Sequence, residues 1–197
     1  MKNEQWFANC PKGLESLLLH ELQTLGAESV RETVAGCAFV GPLAVAYRVA
    51  LWSRLANRVL LPIAELAYSE TDSKLTFLKD LVWEDYLPVG RSFAIDFSGE
   101  SRAIRNTQYG AQVCRDAISD RFREMSLARP NGMRKGADVQ FQVRMRKGKL
   151  KVSLDFAGCS LHQRGYRREA GGAPLKENLA AALLLRADWP AMASRGG

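Results

Sequence analysis

Histidine is nearly absent from this chain. There are 2 in 197 residues, and the 4 cysteines (Cys10, Cys37, Cys114 and Cys159) form no Cys-x-x-Cys pair. No zinc-site spacing can be built from them, so no metal site is expected. Scattered thiols of this kind suit a reducing compartment. Long apolar runs are missing too. The longest, Leu179 to Leu185, falls far short of the roughly 20 residues that span a bilayer. The N-terminus opens Met-Lys-Asn-Glu-Gln-Trp without an apolar signal core, which predicts a cytoplasmic protein. The chain has no Ser/His/Asp or Cys/His arrangement, no paired carboxylates, no Gly-x-Gly-x-x-Gly after a strand and no phosphate-loop Lys. Catalytic and cofactor-binding residues are therefore expected to be absent.

What the chain does have is segregated positive charge. Its net charge is +7, but residues 1–65 balance with 6 basic and 6 acidic side chains. Residues 102–151 hold 13 basic against 4 acidic, a surplus of nine. Cations concentrated in one region suit a polyanion, because neutralising phosphates releases counterions.

Periodicity divides the chain. Trp6–Asn9 reads as a strand; Leu14, Leu17, Leu18, Leu22 and Leu25 recur at helical spacing. Val30–Val34 and Cys37–Val40 read as strands around a turn at Ala35-Gly36, and Val45, Val49 and Trp52 as the buried stripe of a second helix. Val59–Leu66 is β-rich. The order β-α-β-β-α-β predicts a ferredoxin-like domain over residues 1–65. Ser69–Ser73 is polar and reads as a linker, with Asp72 or Ser73 capping a helix over Leu75, Leu78 and Leu81. A second α/β domain is expected over 66–160. It contains a half-buried strand at Ser92–Ser98, a helix over Ile104–Met125 and a loop at Arg129–Gly132. Beyond the loop comes a hairpin, whose two strands meet at Lys147-Gly148.

The helix places Ala111, Cys114, Ile118, Phe122 and Met125 on one face and Arg105, Gln108, Gln112, Ser119 and Arg123 on the other, with Arg115 at the flank. The next loop adds Arg129, Arg134 and Lys135; the hairpin adds Arg144, Arg146, Lys147, Lys149 and Lys151. Arginine forks onto phosphate oxygens and glutamine reaches sugar or base edges, so these residues are the predicted nucleic-acid contacts. No helix-turn-helix, zinc finger or basic zipper is present, which favours RNA. Tyr109 and Tyr166 are candidates to stack on a base, although Tyr109 equally suits packing at the helix start.

Six segments carry a family resemblance. They are Lys12-Gly13-Leu14-Glu15, Leu51-Trp52-Ser53-Arg54-Leu55-Ala56-Asn57-Arg58, Phe93–Gly99, Ile104-Arg105-Asn106-Thr107-Gln108-Tyr109-Gly110-Ala111, Ser153–Gly158 and Leu161–Leu184. In these the chain resembles the N-terminal half of the bacterial 23S rRNA guanine-N2 methyltransferases. The resemblance implies an α+β architecture: a ferredoxin-like domain, then a THUMP RNA-binding domain, then a basic linker and helix over 161–197 leading to a Rossmann-type methyltransferase domain. In that family the catalytic domain binds S-adenosylmethionine through an Asp-Pro-x-Cys-Gly-Ser-Gly-Thr loop and acts through Asn-Pro-Pro-Tyr; neither occurs here. The chain alone is then expected to be inactive, with 23S rRNA as partner and Arg164, Arg167 and Arg168 extending the basic track toward the catalytic domain. Two alternatives stay open: a THUMP module of a tRNA-modifying enzyme, and a basic module docking on an acidic protein.

Overall fold

The structure, a computed structural model, describes residues 2–134, 136–165, 167, 169 and 171–196. Two compact units make up the chain. Residues up to Leu61 and those from Cys159 onward form the first, and Pro62–Gly158 form the second.

The first unit begins with β1 (Glu4–Asn9), α1 (Glu15–Thr24), β2 (Glu28–Thr33), β3 (Gly36–Gly41), α2 (Leu43–Trp52) and the start of β4 (Arg58–Ala67). The strands lie in the order β2-β3-β1-β4, with β1 antiparallel to both neighbours, the expected ferredoxin-like arrangement. Alternation along β1 buries Trp6 and Ala8, and Leu18, Leu22, Phe39, Val45 and Val49 are buried in the same unit. Gly36 permits the close approach of β3 to β1, since a Cβ there would lie 2.4 Å from the Ala8 carbonyl oxygen. One expectation fails. Trp52, placed on the buried stripe with Val45 and Val49, is 71% exposed, because α2 ends there and the chain turns so that Ser53 is buried instead. Two further helices, α4 (Glu177–Arg186) and α5 (Trp189–Ser194), belong to this same unit.

The second unit contains the later half of β4, two single 3₁₀ turns (Thr76–Asp80 and Trp83–Asp85), β5 (Ser92–Ser98), α3 (Thr107–Glu124), β6 (Asn131–Met133), β7 (Val139–Arg146) and β8 (Lys149–Asp155). The strand order is β4-β8-β7-β5-β6, with β5 parallel to β6 and β7, and β7 antiparallel to β8. Phe93, Ile95, Phe97, Phe141, Val143, Met145, Leu150 and Val152 point to one face and pack with Cys114, Ile118 and Phe122 of α3. Trp83 lies edge-on to Phe141 at 5.2 Å and donates its indole N–H to the Leu78 carbonyl. Gly110 is where α3 meets the sheet: an added Cβ would sit 2.5 Å from the Phe97 ring.

Several element assignments differ from expectation here. The long helix starts at Thr107, because the Asn106 side chain accepts the Gln108 N–H and caps it, leaving Ile104 and Arg105 in the preceding turn. Met125 lies past the last helical turn and is 49% exposed. The helix expected over Leu75–Leu81 is a short 3₁₀ turn, because Asp72 takes the Lys74 and Leu75 N–H groups and Leu75 adopts φ 46°. The expected loop at 129–132 carries β6 at the sheet edge, where Pro130 just before the strand is tolerated. The polar stretch Ser69–Ser73 lies inside the second unit, tied by Ala103 N–H to the Glu70 carbonyl.

Candidate nucleic-acid interface

The sheet of the second unit has two faces, and the predicted contacts divide between them. α3 covers the apolar face. Its outward side presents Gln108, Gln112, Arg115, Ser119 and Arg123, while Gln140, Gln142, Arg144, Arg146, Lys149, Lys151 and Ser153 point from the opposite sheet face. Expected as one cationic patch, the helix and hairpin residues form two, because the period-2 alternation that buries Phe141, Val143 and Met145 under α3 turns Arg144 and Arg146 away from it.

On the helix side, three predicted residues converge. Gln112, Arg115 and Arg129 line a shallow open cleft of about 420 Å³ with Asp116, Ser119, Pro130, Asn131 and Gly132. The Gln112 side chain orients the cleft, accepting from Arg115 Nη2 at 2.7 Å and donating to Asp116 Oδ1 at 2.8 Å. Gly132 leaves room for the Arg115 stem, since a Cβ there would lie 3.1 Å from Arg115 Cδ. Arg129 makes no ion pair among the described residues. The arrangement offers two guanidinium groups, a hydroxyl and an amide to an anion, moderated by one carboxylate. Ser119, expected on the exposed face of the helix, lies i+7 from Gln112 and i+4 from Arg115 and joins them here, whereas Asn131 was not singled out from sequence.

Elsewhere acids absorb part of the surplus. Arg123 pairs with Asp120 at 2.7 Å, Arg121 forks onto Glu84 at 2.6 and 3.3 Å, and Lys79 reaches both Asp120 and Glu124. Lys149 and Lys151 share Glu65, and their hydrogen bonds pull its carboxyl down to about 2. Arg105 donates Nε to the Arg102 carbonyl. Arg105, Arg134, Arg144, Arg146 and Lys147 are exposed and make no ion pair among the described residues. Gln108 is exposed at the start of α3. Tyr109 is 47% exposed, with its hydroxyl 3.4 Å from the Ser73 carbonyl. Lys135, Tyr166 and Arg168 lie outside the described residues.

Two of the arginines predicted to extend the basic track, Arg164 and Arg167, are engaged internally. Arg164 donates to the Ala50, Leu51 and Ser53 carbonyls, and Arg167 to the Leu175 carbonyl and Glu177. Sequence reasoning also missed Glu21, only 8% exposed. Its carboxylate accepts from Ser53 Oγ at 2.6 Å, Arg54 Nε at 3.0 Å and the Arg54 and Leu55 N–H groups. This explains the Trp-Ser-Arg-Leu-Ala-Asn-Arg motif as the partner of a buried acid.

No cluster able to hold a metal occurs among the described residues. Burial pushes the Cys10 and Cys114 thiols up to about 12 and Cys37 to about 11, so these thiols stay protonated and poorly nucleophilic. No helix among the described residues is long and apolar enough to cross a membrane.

A ferredoxin-like unit joined to an α/β unit with cationic surfaces is a two-domain α+β architecture. Residues 5–60 match the RlmL ferredoxin-like domain and residues 75–155 the THUMP domain. The ribosomal RNA large subunit methyltransferase K/L of Cellvibrio japonicus is 51% identical over 193 residues, covering 98% of this chain and 26% of that protein. The chain belongs to the RlmL ferredoxin-like and THUMP domain families, and spans about a quarter of the length of the curated relatives it matches. The crystal structure of a predicted N6-adenine-specific DNA methylase from Listeria monocytogenes superposes with a TM-score of 0.77 at 33% identity, over 94% of this chain and 48% of that one. The protein SMU.472, solved in complex with SAH, gives a TM-score of 0.76 at 26% identity, over 94% of this chain and 49% of its own.

Proposed function

We propose that this chain is the RNA-gripping part of an S-adenosylmethionine-dependent 23S rRNA guanine-N2 methyltransferase. The observation that carries the reading is the match of nearly the whole chain to rRNA methyltransferases, with a THUMP domain in its second unit. The SAH bound to a structural relative supports S-adenosylmethionine as the methyl donor. In this reading the cofactor and the chemistry belong to a further domain of the longer protein, as the length of the relatives supports, and this chain alone is inactive.

The α3–β6 cleft is the proposed phosphate seat. Arg115, held by Gln112, and Arg129, without an ion pair among the described residues, grip backbone oxygens; Gln108, Arg105 and Arg134 extend the contact. Arg144, Arg146 and Lys147 on the other sheet face add a second, weaker footprint for a bulky RNA. Holding the RNA makes methyl transfer effectively intramolecular, and the acceptor guanine leaves its stack to reach the catalytic pocket.

Titrating the chain with a 23S rRNA fragment and with tRNA, over a range of salt, tests this. The rRNA fragment is expected to bind more tightly. Arg115→Ala with Arg129→Ala should reduce the magnitude of the log–log salt slope by about 2, roughly 1 per lost phosphate contact. An unchanged slope removes the cleft from the interface. Equal affinity for tRNA moves the reading to a tRNA-modifying enzyme, and displacement of the RNA by an acidic protein moves it to a docking module.

A further inference from the structure

We infer that Arg164 is a positioning residue rather than an RNA contact: with Asn57 and Asn178 it clasps the C-terminal segment onto the first unit and so fixes where α4 starts. The catalytic consequence rests on the function proposed above; the clasp itself does not.

Asn57 is the hub. Its N–H donates to the Asn9 carbonyl at 2.7 Å, its carbonyl accepts the Leu161 N–H at 2.8 Å, and its side-chain oxygen accepts Asn178 Nδ2 at 2.8 Å. One residue thereby joins the end of β1, the returning chain and the first turn of α4. Asn178 is fully buried and also donates to the Leu55 carbonyl. A polar side chain withdrawn from water this completely holds its place through its hydrogen bonds.

Arg164 supplies the second point. Nη1 lies 3.0 and 3.1 Å from the Ala50 and Leu51 carbonyls, and Nη2 lies 2.8 Å from that of Ser53. These are the open carbonyls at the C-terminus of α2, which has no basic residue of its own in its last turn. The helix end carries partial negative charge and unpaired acceptors, and a guanidinium answers both. A fork turned onto three carbonyls is not presented to a phosphate. Arg186 completes the fastening by donating to the Gly13 carbonyl from the far end of α4. Helix α4 is therefore held at both ends by the first unit. In the longer protein, this helix hands its direction to the catalytic domain, and a tether becomes a fixed mount.

The test uses Arg164→Ala and Arg164→Lys, the latter keeping charge but losing the planar fork. In the 197-residue chain, the salt slope for the rRNA fragment should stay as it was. Amide exchange in α4 should rise about ten-fold or more relative to α1, as expected for loss of charge-assisted hydrogen bonds. In the full-length methyltransferase, kcat should fall about ten-fold or more while KM for RNA stays within about two-fold. Lysine should rescue little of either effect. Should the alanine variant not fold, Arg164→Gln, which keeps one donor without charge, carries the same readouts. A salt slope lowered by about 1 makes Arg164 a phosphate contact and overturns the inference. Unchanged exchange in α4, or unchanged kcat, overturns it equally. Failure of the unaltered chain to bind RNA counts against the proposed function and leaves the clasp to be judged by exchange alone.

Discussion

Glu21 sits on the apolar face of α1, one helical turn beyond Leu18, where a carboxylate is costly unless fully paired. Ser53, Arg54 and Leu55 pair it. Glu21→Ala leaves the Arg54 N–H and Ser53 hydroxyl without their acceptor and should destabilise the chain by about 2–3 kcal/mol, read as a lower urea midpoint. Glu65 behaves differently, being at the surface between two lysines. Its carboxyl titrates at about 2 in the folded chain against an ordinary value of 4.5. Its contribution is present in full above about 4.5 and is lost as pH falls toward 2. Urea midpoints measured across that interval should flatten in Glu65→Gln; an identical slope would mean Lys149 and Lys151 do not hold it in solution.

At the scale of elements, α3 shows how contact outweighs propensity. Gly110→Ala should gain about 1 kcal/mol of helix propensity, yet the new methyl meets the Phe97 ring. The expected net is a loss of about 1–3 kcal/mol and a lower Tm. Strong periods made α3 and the β7–β8 hairpin legible in the sequence: Cys114, Ile118 and Phe122 recur at 3.6, and Phe141, Val143 and Met145 at 2. β6 was not legible, because three residues between Pro130 and Gly136 carry no period and pair only through a distant strand. Periodicity also names the face a residue shares, not the neighbour it meets. Thus Trp52 looked buried, Arg123 looked like a phosphate contact although it pairs with Asp120, and Arg164 looked like part of a basic track although it closes a helix end. The cleft was half legible, since Gln112, Arg115 and Arg129 stood out by type whereas Asn131 depends on the strand that sequence did not reveal.

For the whole molecule, the first unit is discontinuous in sequence. Ending the chain at Gly158 removes the partners of Asn57, the cover over the α2 carbonyls and the Arg186 bond to Gly13. The truncated chain should show faster amide exchange in β1 and α1 while β5, α3 and β7 keep their protection. Equal loss in both units would mean that they unfold as one cooperative block.

The bond from Arg186 to Gly13 spans 173 positions of sequence. During synthesis the N-terminal strands and helices leave the ribosome long before the segment that completes them, whereas everything the THUMP domain needs lies between Pro62 and Gly158. Contacts this distant along the chain close late. The second unit is thus set to mature first, with the residues made before it waiting, partly assembled, for the segment from Cys159 onward.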